Sequence, residues 1–303
     1  MSGRRDSDCA RGRTTAAGRT AGASARAGSG RADTGVVDAT PEPGKIQQMF
    51  DGIAGSYDRM NSLMTAGLHH RWREMGVMLS GVRPGDSALD VCCGTGDFAF
   101  ALRRVVGPAG RVVGVDVSEE MLKVAREKCG RNQLYVEFRT GDVLDLPFPD
   151  AAAEPDATAA ATAAPAAPST PAAGQAARAA SGAARGFDAC TVGFGIRNVS
   201  DITQAFREMR RVCRPGGRVV CLEITQAKIP VFKQFYGLWF DHAVPRLGRL
   251  AAQNGAAYSY LPASVKRFPD PDDLKGMMED AGLRNVRYEI LAGGIIALHH
   301  ALV

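Results

Sequence analysis

The sequence predicts a parallel, doubly wound α/β sheet finished by an antiparallel hairpin, and three observations predict it. From residue 87 onward strand-like and helix-like stretches alternate. The last two strand-like runs have only the pair Gly293-Gly294 between them, which reads as a hairpin. Two further segments are too poor in large apolar residues to join a core. Residues 1–44 hold only Val36 and Val37 as sizeable aliphatics, and residues 151–186 hold 19 alanines and four prolines with no Val, Ile, Leu, Met or aromatic. Such stretches cannot offset the conformational entropy lost on ordering, so a disordered tail (1–44) and a disordered insert (151–186) are expected. About 220 residues remain between 45 and 303, one domain of ordinary size.

The elements follow in order. Residues 45–80 read as helical, with Ile46, Met49, Phe50 and Ile53 at helical spacing and a break near Gly55. "SALDVCC" is strand-like and leads through Gly94 and Gly96 into the helical "DFAFALRRVV". "RVVGVDVS" is a second strand, and Ser118 is placed to cap the helix "EEMLKVAREKC". "LYVEF" is a third strand, its segment ending near Asp142; "FDACTVGFG" is a fourth, "DITQAFREMRRVC" a helix, and "RVVCLEIT" a fifth strand after the turn "RPGG". "DPDDLKGMMEDAGL" is a helix closed by Gly282, and "VRYEILAG" and "IIALHHALV" form the terminal hairpin.

Composition excludes several classes. The formal charge of +5 comes partly from seven arginines in the tail, and no Lys/Arg cluster with interleaved aromatics marks a nucleic-acid surface. No apolar run approaches the length of a membrane span. The tail lacks the apolar stretch of a secretory signal, and its five acids argue against a transit peptide. Seven cysteines without C-x-x-C spacing read as reduced, buried thiols. Neither Cys92-Cys93 nor the pairs His69-His70 and His299-His300 have the spacing of a metal site, so no metal is expected.

Asp90 carries the chemistry. It interrupts an apolar strand with three residues between it and a Gly-x-Gly turn, where a buried carboxylate costs several kcal/mol unless it is paired. Gly94 and Gly96 let the backbone approach a ligand, but a phosphate would avoid a turn flanked by Asp90 and Asp97. Asp116, at the end of the next strand, can accept both hydroxyls of a ribose, each such bond contributing about 1.5–3 kcal/mol. Asp142 stands where an adenine amino group would lie. Ribose, adenine, an ammonium and a sulfonium without phosphate describe S-adenosylmethionine, with Asp90 facing the ammonium. A carboxylate that caps local backbone groups is the bland alternative for Asp90, and a helix N-terminal acid is that for Asp116.

The motifs "LDVCCGTGD", "VVGVDVSEEML", "GDVLDLPFPD", "FDACTVGFGIRNVSD", "RPGGRVVCLEIT" and "YSYLPASVKRFPD" occur in this order. From about residue 45 to the end, interrupted only by the insert, the chain resembles the menaquinone/ubiquinone biosynthesis C-methyltransferases. The resemblance implies a class I S-adenosylmethionine-dependent methyltransferase fold, a seven-stranded sheet ending in the hairpin already expected. It places cofactor contacts on Thr95, Asp116, Asp142 and Val143, with Gly193 at the fourth strand. Cys92 and Cys93 stand where many members have small residues, and Gly193 replaces a frequent serine. The implied reaction is methyl transfer to a ring carbon of a prenylated quinol, with demethylmenaquinol favoured and the ubiquinone or phylloquinone precursor as alternative. Arg197 in "GIRNVSD" is the candidate cation that stabilises a phenolate, Asn198 holds the ring oxygen, and Tyr57 closes over the substrate with Asp58 beside it. Phe232, Phe235 and Trp239 share one helical face that suits either core or a prenyl path at a membrane surface, with Lys228, Lys233, Arg246 and Arg249 flanking. A cytoplasmic enzyme with peripheral membrane contact is expected, and a homo-oligomer stays open. A nicotinamide-dependent oxidoreductase and a non-catalytic binding protein of the same fold are the rivals from other classes.

Overall fold

The computed structural model describes residues 43–151, 186–225 and 256–303. Three helices, α1 (Pro43–Asp51), α2 (Tyr57–Thr65) and α3 (Leu68–Ser80), precede β1 (Ser87–Val91). There follow α4 (Asp97–Val106), β2 (Arg111–Asp116), α5 (Glu119–Asn132), β3 (Glu137–Thr140), β4 (Phe187–Gly193), α6 (Ile202–Val212) and β5 (Cys213–Ile224). After α7 (Ala256–Arg267) and α8 (Pro271–Asp280) the chain ends in β6 (Arg284–Leu291) and β7 (Ile296–Leu302). The seven strands form one sheet in the order β3-β2-β1-β4-β5-β7-β6. β1 to β5 run parallel, and β7 enters antiparallel between β5 and β6. The expected doubly wound sheet with its terminal hairpin is the fold.

Strand parity divides the core. Leu89, Val91, Val113, Cys190, Val192 and Val219 face one side, packed with Phe206 and Met209 of α6 and Leu274 and Met278 of α8. Ala88, Val112, Ala189 and Val220 face the other, under Trp72 and Val77 of α3 and Phe98 and Leu102 of α4. Side chains alternate across a strand, so Asp90 shares the face of Ala88, toward α3 and α4. Capping agrees with the sequence: Ser118 Oγ accepts from Met121 N–H at 3.1 Å. Asp201 and Asp270 cap α6 and α8 in the same way.

Three boundaries differ. The helical stretch breaks near Gly55 as expected and again at Ala66 and Gly67, both with left-handed backbones. The third strand begins at Glu137, three residues into the expected run. The "RPGG" turn is looped out of β5, whose ladder with β4 jumps from Phe187↔Cys213 to Ala189↔Arg218. The tail and the insert, but for Pro43, Gly44, Ala151 and Gly186, lie outside the described residues, as do the aromatic face and its flanking cations. No helix among the described residues is long and apolar enough to cross a membrane.

Candidate active site

Strand order reverses between β1 and β4, and the loops leaving their carboxyl ends open a cleft of about 1150 Å³ that is partly open to solvent. Asp90, Gly94, Thr95, Asp116, Asp142, Val143, Gly193, Asn198 and Tyr57 all line it. The β1–α4 turn is tight. Cys92, Gly94 and Gly96 have φ of +50°, +53° and +85°, a conformation that costs a cysteine about 1–3 kcal/mol and glycine little. Cys92 fits because Gly195 leaves room: a Cβ on Gly195 would lie 2.4 Å from that of Cys92.

Asp90 is 1% exposed. Its Oδ1 accepts a 2.7 Å hydrogen bond from Thr191 Oγ1, while the equally buried Oδ2 has no partner. Burial pushes the carboxyl up to about 7, against the pull of the Thr191 hydroxyl and of Arg73. Asp116 is wired to the turn: Oδ2 accepts from Gly94 N–H at 2.8 Å and Oδ1 from Ser118 N–H at 2.9 Å. Burial raises its pKa, and these N–H groups offset that only in part. Each oxygen keeps a lone pair for a further donor. Asp142 is exposed and spends Oδ1 on Leu144 N–H at 2.9 Å.

Two glycines do other work. Gly96 is absent from the cleft wall: its N–H goes to Cys93 O at 2.9 Å, and a Cβ there would meet Phe138 at 2.8 Å. Gly96 thus also has a packing role at the start of α4, under the rings of Phe138 and Phe100. Gly193 lines the cleft, and a Cβ would meet Phe98 Cδ1 at 2.8 Å, so the ring of Phe98 fills the space a serine would need. Thr95 Oγ1 donates to Asp58 Oδ1 at 2.5 Å and accepts from Lys128 Nζ at 3.3 Å, tying α2 to the turn.

Arg197 also differs from expectation. It stands off the cleft wall, with Nη1 2.6 Å from both Glu223 Oε1 and Phe194 O, and its Nε is buried without a partner. Burial works against its charge, but Glu223, Tyr57 and Tyr260 overcome this and hold the guanidinium more firmly protonated than usual. Burial pushes the Glu223 carboxyl up, and Arg197 offsets part of that. Asn198 Oδ1 accepts from Tyr260 Oη of α7 at 3.1 Å, which leaves its amide N–H groups to donate. Burial raises the pKa of Tyr57, which stays a donor, although Arg197 pulls the other way.

Sequence reasoning missed Arg73, Glu223, Lys128 and Tyr260. The acid in "CLEIT" was a usable signal, because a glutamate inside an apolar strand poses the same question as Asp90. Arg73 and Lys128 sit among ordinary helical charges and carried none. His69, His70 and Asp97 bring ligand atoms within 4.8 Å of one another. Arg73 contacts both His69 Nδ1 and Asp97, and Lys128 holds Asp97 Oδ1 at 2.5 Å, so two fixed cations oppose a metal there.

The donor set fits S-adenosylmethionine. An orphaned carboxylate oxygen suits an ammonium, two half-satisfied oxygens on Asp116 suit adjacent hydroxyls, and Asp142 suits an amino group; among the described residues no cluster of cations lines the cleft for a phosphate.

Comparison with known proteins agrees. The family model of the ubiE/COQ5 methyltransferase family matches residues 39–159 and 174–303. Demethylmenaquinone methyltransferases of several Staphylococcus aureus strains are 39% identical over 255 residues, 84% of this chain and 91% of theirs. Among solved structures, the [4+2]-cyclase SpnF superposes with a TM-score of 0.54 at 17% identity, covering 84% of this chain and 77% of that one. A SAM-dependent methyltransferase from Thermotoga maritima gives 0.50 at 16% identity, covering 85% and 99%. At such identities these two structures speak for the fold alone.

Proposed function

The chain belongs to the ubiE/COQ5 methyltransferase family, and from that premise we propose that it methylates a ring carbon of demethylmenaquinol. It is an S-adenosylmethionine-dependent methyltransferase. A nicotinamide-dependent oxidoreductase falls away with family membership. The observation that carries the reading is that one cleft is lined both by the acids Asp90, Asp116 and Asp142 and by the acceptor-side pair Tyr57 and Asn198.

When bound, S-adenosylmethionine supplies a methyl group on a positively charged sulfur. The chain has the remaining tasks. Asp90 takes the ammonium, Asp116 the ribose hydroxyls and Asp142 the adenine amino group. Thr95, Val143 and Gly193 shape the wall beside them. A ring carbon becomes nucleophilic when the neighbouring phenol loses its proton to water reaching the cleft; once methylated, that carbon gives up its own hydrogen as a proton to water and the ring oxygen regains one, which restores the aromatic quinol. Arg197 favours the phenol's proton loss from behind the wall, through its fixed charge in a water-poor setting. Asn198 donates to the ring oxygen, oriented by Tyr260, and Tyr57 closes over the ring. Holding carbon, methyl and sulfur in line can contribute about 7–11 kcal/mol.

The substrate is greasy, so the enzyme works at the cytoplasmic face of the membrane. Sedimentation with anionic vesicles tests this, and recovery of all protein in the supernatant sinks it. The central test is transfer of a labelled methyl group to chemically reduced demethylmenaquinol, run beside the benzoquinol precursor of ubiquinone. Label on the naphthoquinol supports the proposal. Label on the benzoquinol alone moves the enzyme to ubiquinone synthesis.

A further inference from the structure

We propose that Lys128 is a positioning residue for the acceptor: it fastens the first turn of α2, and with it Tyr57, to the turn that leads into α4. The inference rests on the reading that Tyr57 closes over the acceptor ring.

Asp58 and Asp97 are acids that neither the cofactor nor the acceptor accounts for, and Lys128 accounts for both. Its ammonium has three N–H donors and three acceptors around it. Nζ lies 2.8 Å from Asp58 Oδ2 of α2, 2.5 Å from Asp97 Oδ1 of α4 and 3.3 Å from Thr95 Oγ1 of the turn. Thr95 Oγ1 in turn donates to Asp58 Oδ1 at 2.5 Å, so both oxygens of Asp58 are spent outside its own helix. The Lys128 side chain is 14% exposed. It stands off the cleft wall, whereas Thr95, Asp97 and Tyr57, the residue before Asp58, line it. A cation so placed acts on the ligands only through its neighbours.

The helix depends on this tie because its apolar footing is thin. Of the nine residues of α2 only Met60 is buried, and Ser56 gives the helix no side-chain cap. Farther along, Ser62 Oγ and His69 Nε2 of α3 are 3.1 Å apart, so the polar ties of the first turn to other elements run through Asp58. Charge makes the tie specific. Burial works against the charge of Asp97, yet Arg73 and Lys128 overcome this and hold its carboxyl below the usual carboxylate range. Asp58 and Asp97 share one ammonium, and with that ammonium removed they repel. The repulsion pushes the first turn of α2, and Tyr57 with it, away from the cofactor turn.

Three measurements test this: methyl transfer to chemically reduced demethylmenaquinol at saturating S-adenosylmethionine, calorimetry with S-adenosylmethionine, and amide hydrogen exchange across α2. In Lys128→Met, kcat/KM for the acceptor should fall about tenfold or more beyond any loss of cofactor affinity. Exchange across α2 should quicken about tenfold or more while that of β1 stays as in the native protein. Asp58→Asn, a gentler change at a side chain 35% exposed, should show the same split between acceptor and cofactor. Adding it to Lys128→Met should cost no more turnover than Lys128→Met alone, because the two residues act through one tie. Equal losses of acceptor turnover and cofactor affinity, additive losses in the double variant, or unchanged exchange across α2 each overturn the proposal. A native protein that binds S-adenosylmethionine but methylates no quinol overturns the acceptor reading of Tyr57 instead, and exchange across α2 still decides the tie.

Discussion

Asp90 shows what a site residue costs the fold that carries it. Burial holds its carboxyl at about 7, against about 3.9 in an unfolded chain. Between those values the folded chain keeps a proton that the unfolded chain has released. Stability is therefore intact below about pH 4 and declines by about 1.4 kcal/mol per unit until pH has risen through 7. Asp90→Asn keeps the Thr191 hydrogen bond and removes the charge. The variant should melt several degrees above the native protein at pH 8, with the advantage shrinking by pH 5. A thermal scan at both pH values checks it, and an equal shift at both would exclude titration of Asp90. Cofactor binding should show the opposite preference. Affinity for S-adenosylmethionine should rise with pH to about 7 and then flatten, and Asp90→Asn should bind weakly at every pH, as calorimetry can read. The buried pair Arg197–Glu223 makes a second residue-scale case. With side chains 7% and 0% exposed, removing one partner strands the other. Arg197→Met should cost about 3–5 kcal/mol in urea unfolding, and adding Glu223→Leu should recover most of it. A single variant as stable as the native protein would mean that Glu223 is satisfied without Arg197. Asp90 was legible in the sequence because an acid inside an apolar strand breaks a local rule. The pairing of Arg197 was not, because its partner lies 26 residues away on the adjoining strand.

At the scale of elements, α3 comes close to the sheet because glycine permits it. The Phe98 ring is 2% exposed and wedged between two glycines: a Cβ on Gly76 would lie 2.6 Å from its Cζ, and one on Gly193 would lie 2.8 Å from its Cδ1. Gly76→Ala sets two effects against each other. Helix propensity favours alanine by about 1 kcal/mol. Overpacking a ring with nowhere to move costs about 1–3 kcal/mol. The second should win, so Gly76→Ala should lower the unfolding midpoint in urea with an unchanged slope, whereas a raised midpoint would show that Phe98 yields. This contact also limits what the sequence reveals. Period-two and helical patterns, with Ser118 as a cap, place most strands and helices within a few residues. They do not show that Gly76 and Gly193 face one ring, nor that β7 slides between β5 and β6. Those follow from packing between segments distant in the chain, Gly76 and Gly193 lying more than a hundred residues apart and the paired residues of β5 and β7 more than seventy.

The molecule as a whole bears an interruption at one point of its surface. Ala151 N–H bonds Arg211 O at 3.0 Å, at the end of α6, and Gly186 lies against the same region, where its added Cβ would meet Val212 O at 3.0 Å. That same Cβ would lie 2.3 Å from the Cβ of Ala151, so the chain returns at residue 186 to the place it left at 151. Gly186 has φ of +75°, a left-handed turn that glycine makes without strain and that leads straight into β4. Two ends this close need almost no chain to join them. Closing a loop over 34 residues instead of about four costs only about 2 kcal/mol in entropy, which explains how the sheet tolerates the longer path. Replacing residues 152–185 by a short glycine-rich turn should therefore raise stability slightly and leave affinity for S-adenosylmethionine unchanged, because the cleft residues nearest in sequence, Leu144 and Gly193, are held by β3, β4 and α6. Calorimetry on the shortened chain, beside methyl transfer to demethylmenaquinol, separates two roles. Full binding with full turnover makes the insert dispensable to the enzyme. Full binding with lost turnover would assign residues 152–185 to delivery of the acceptor.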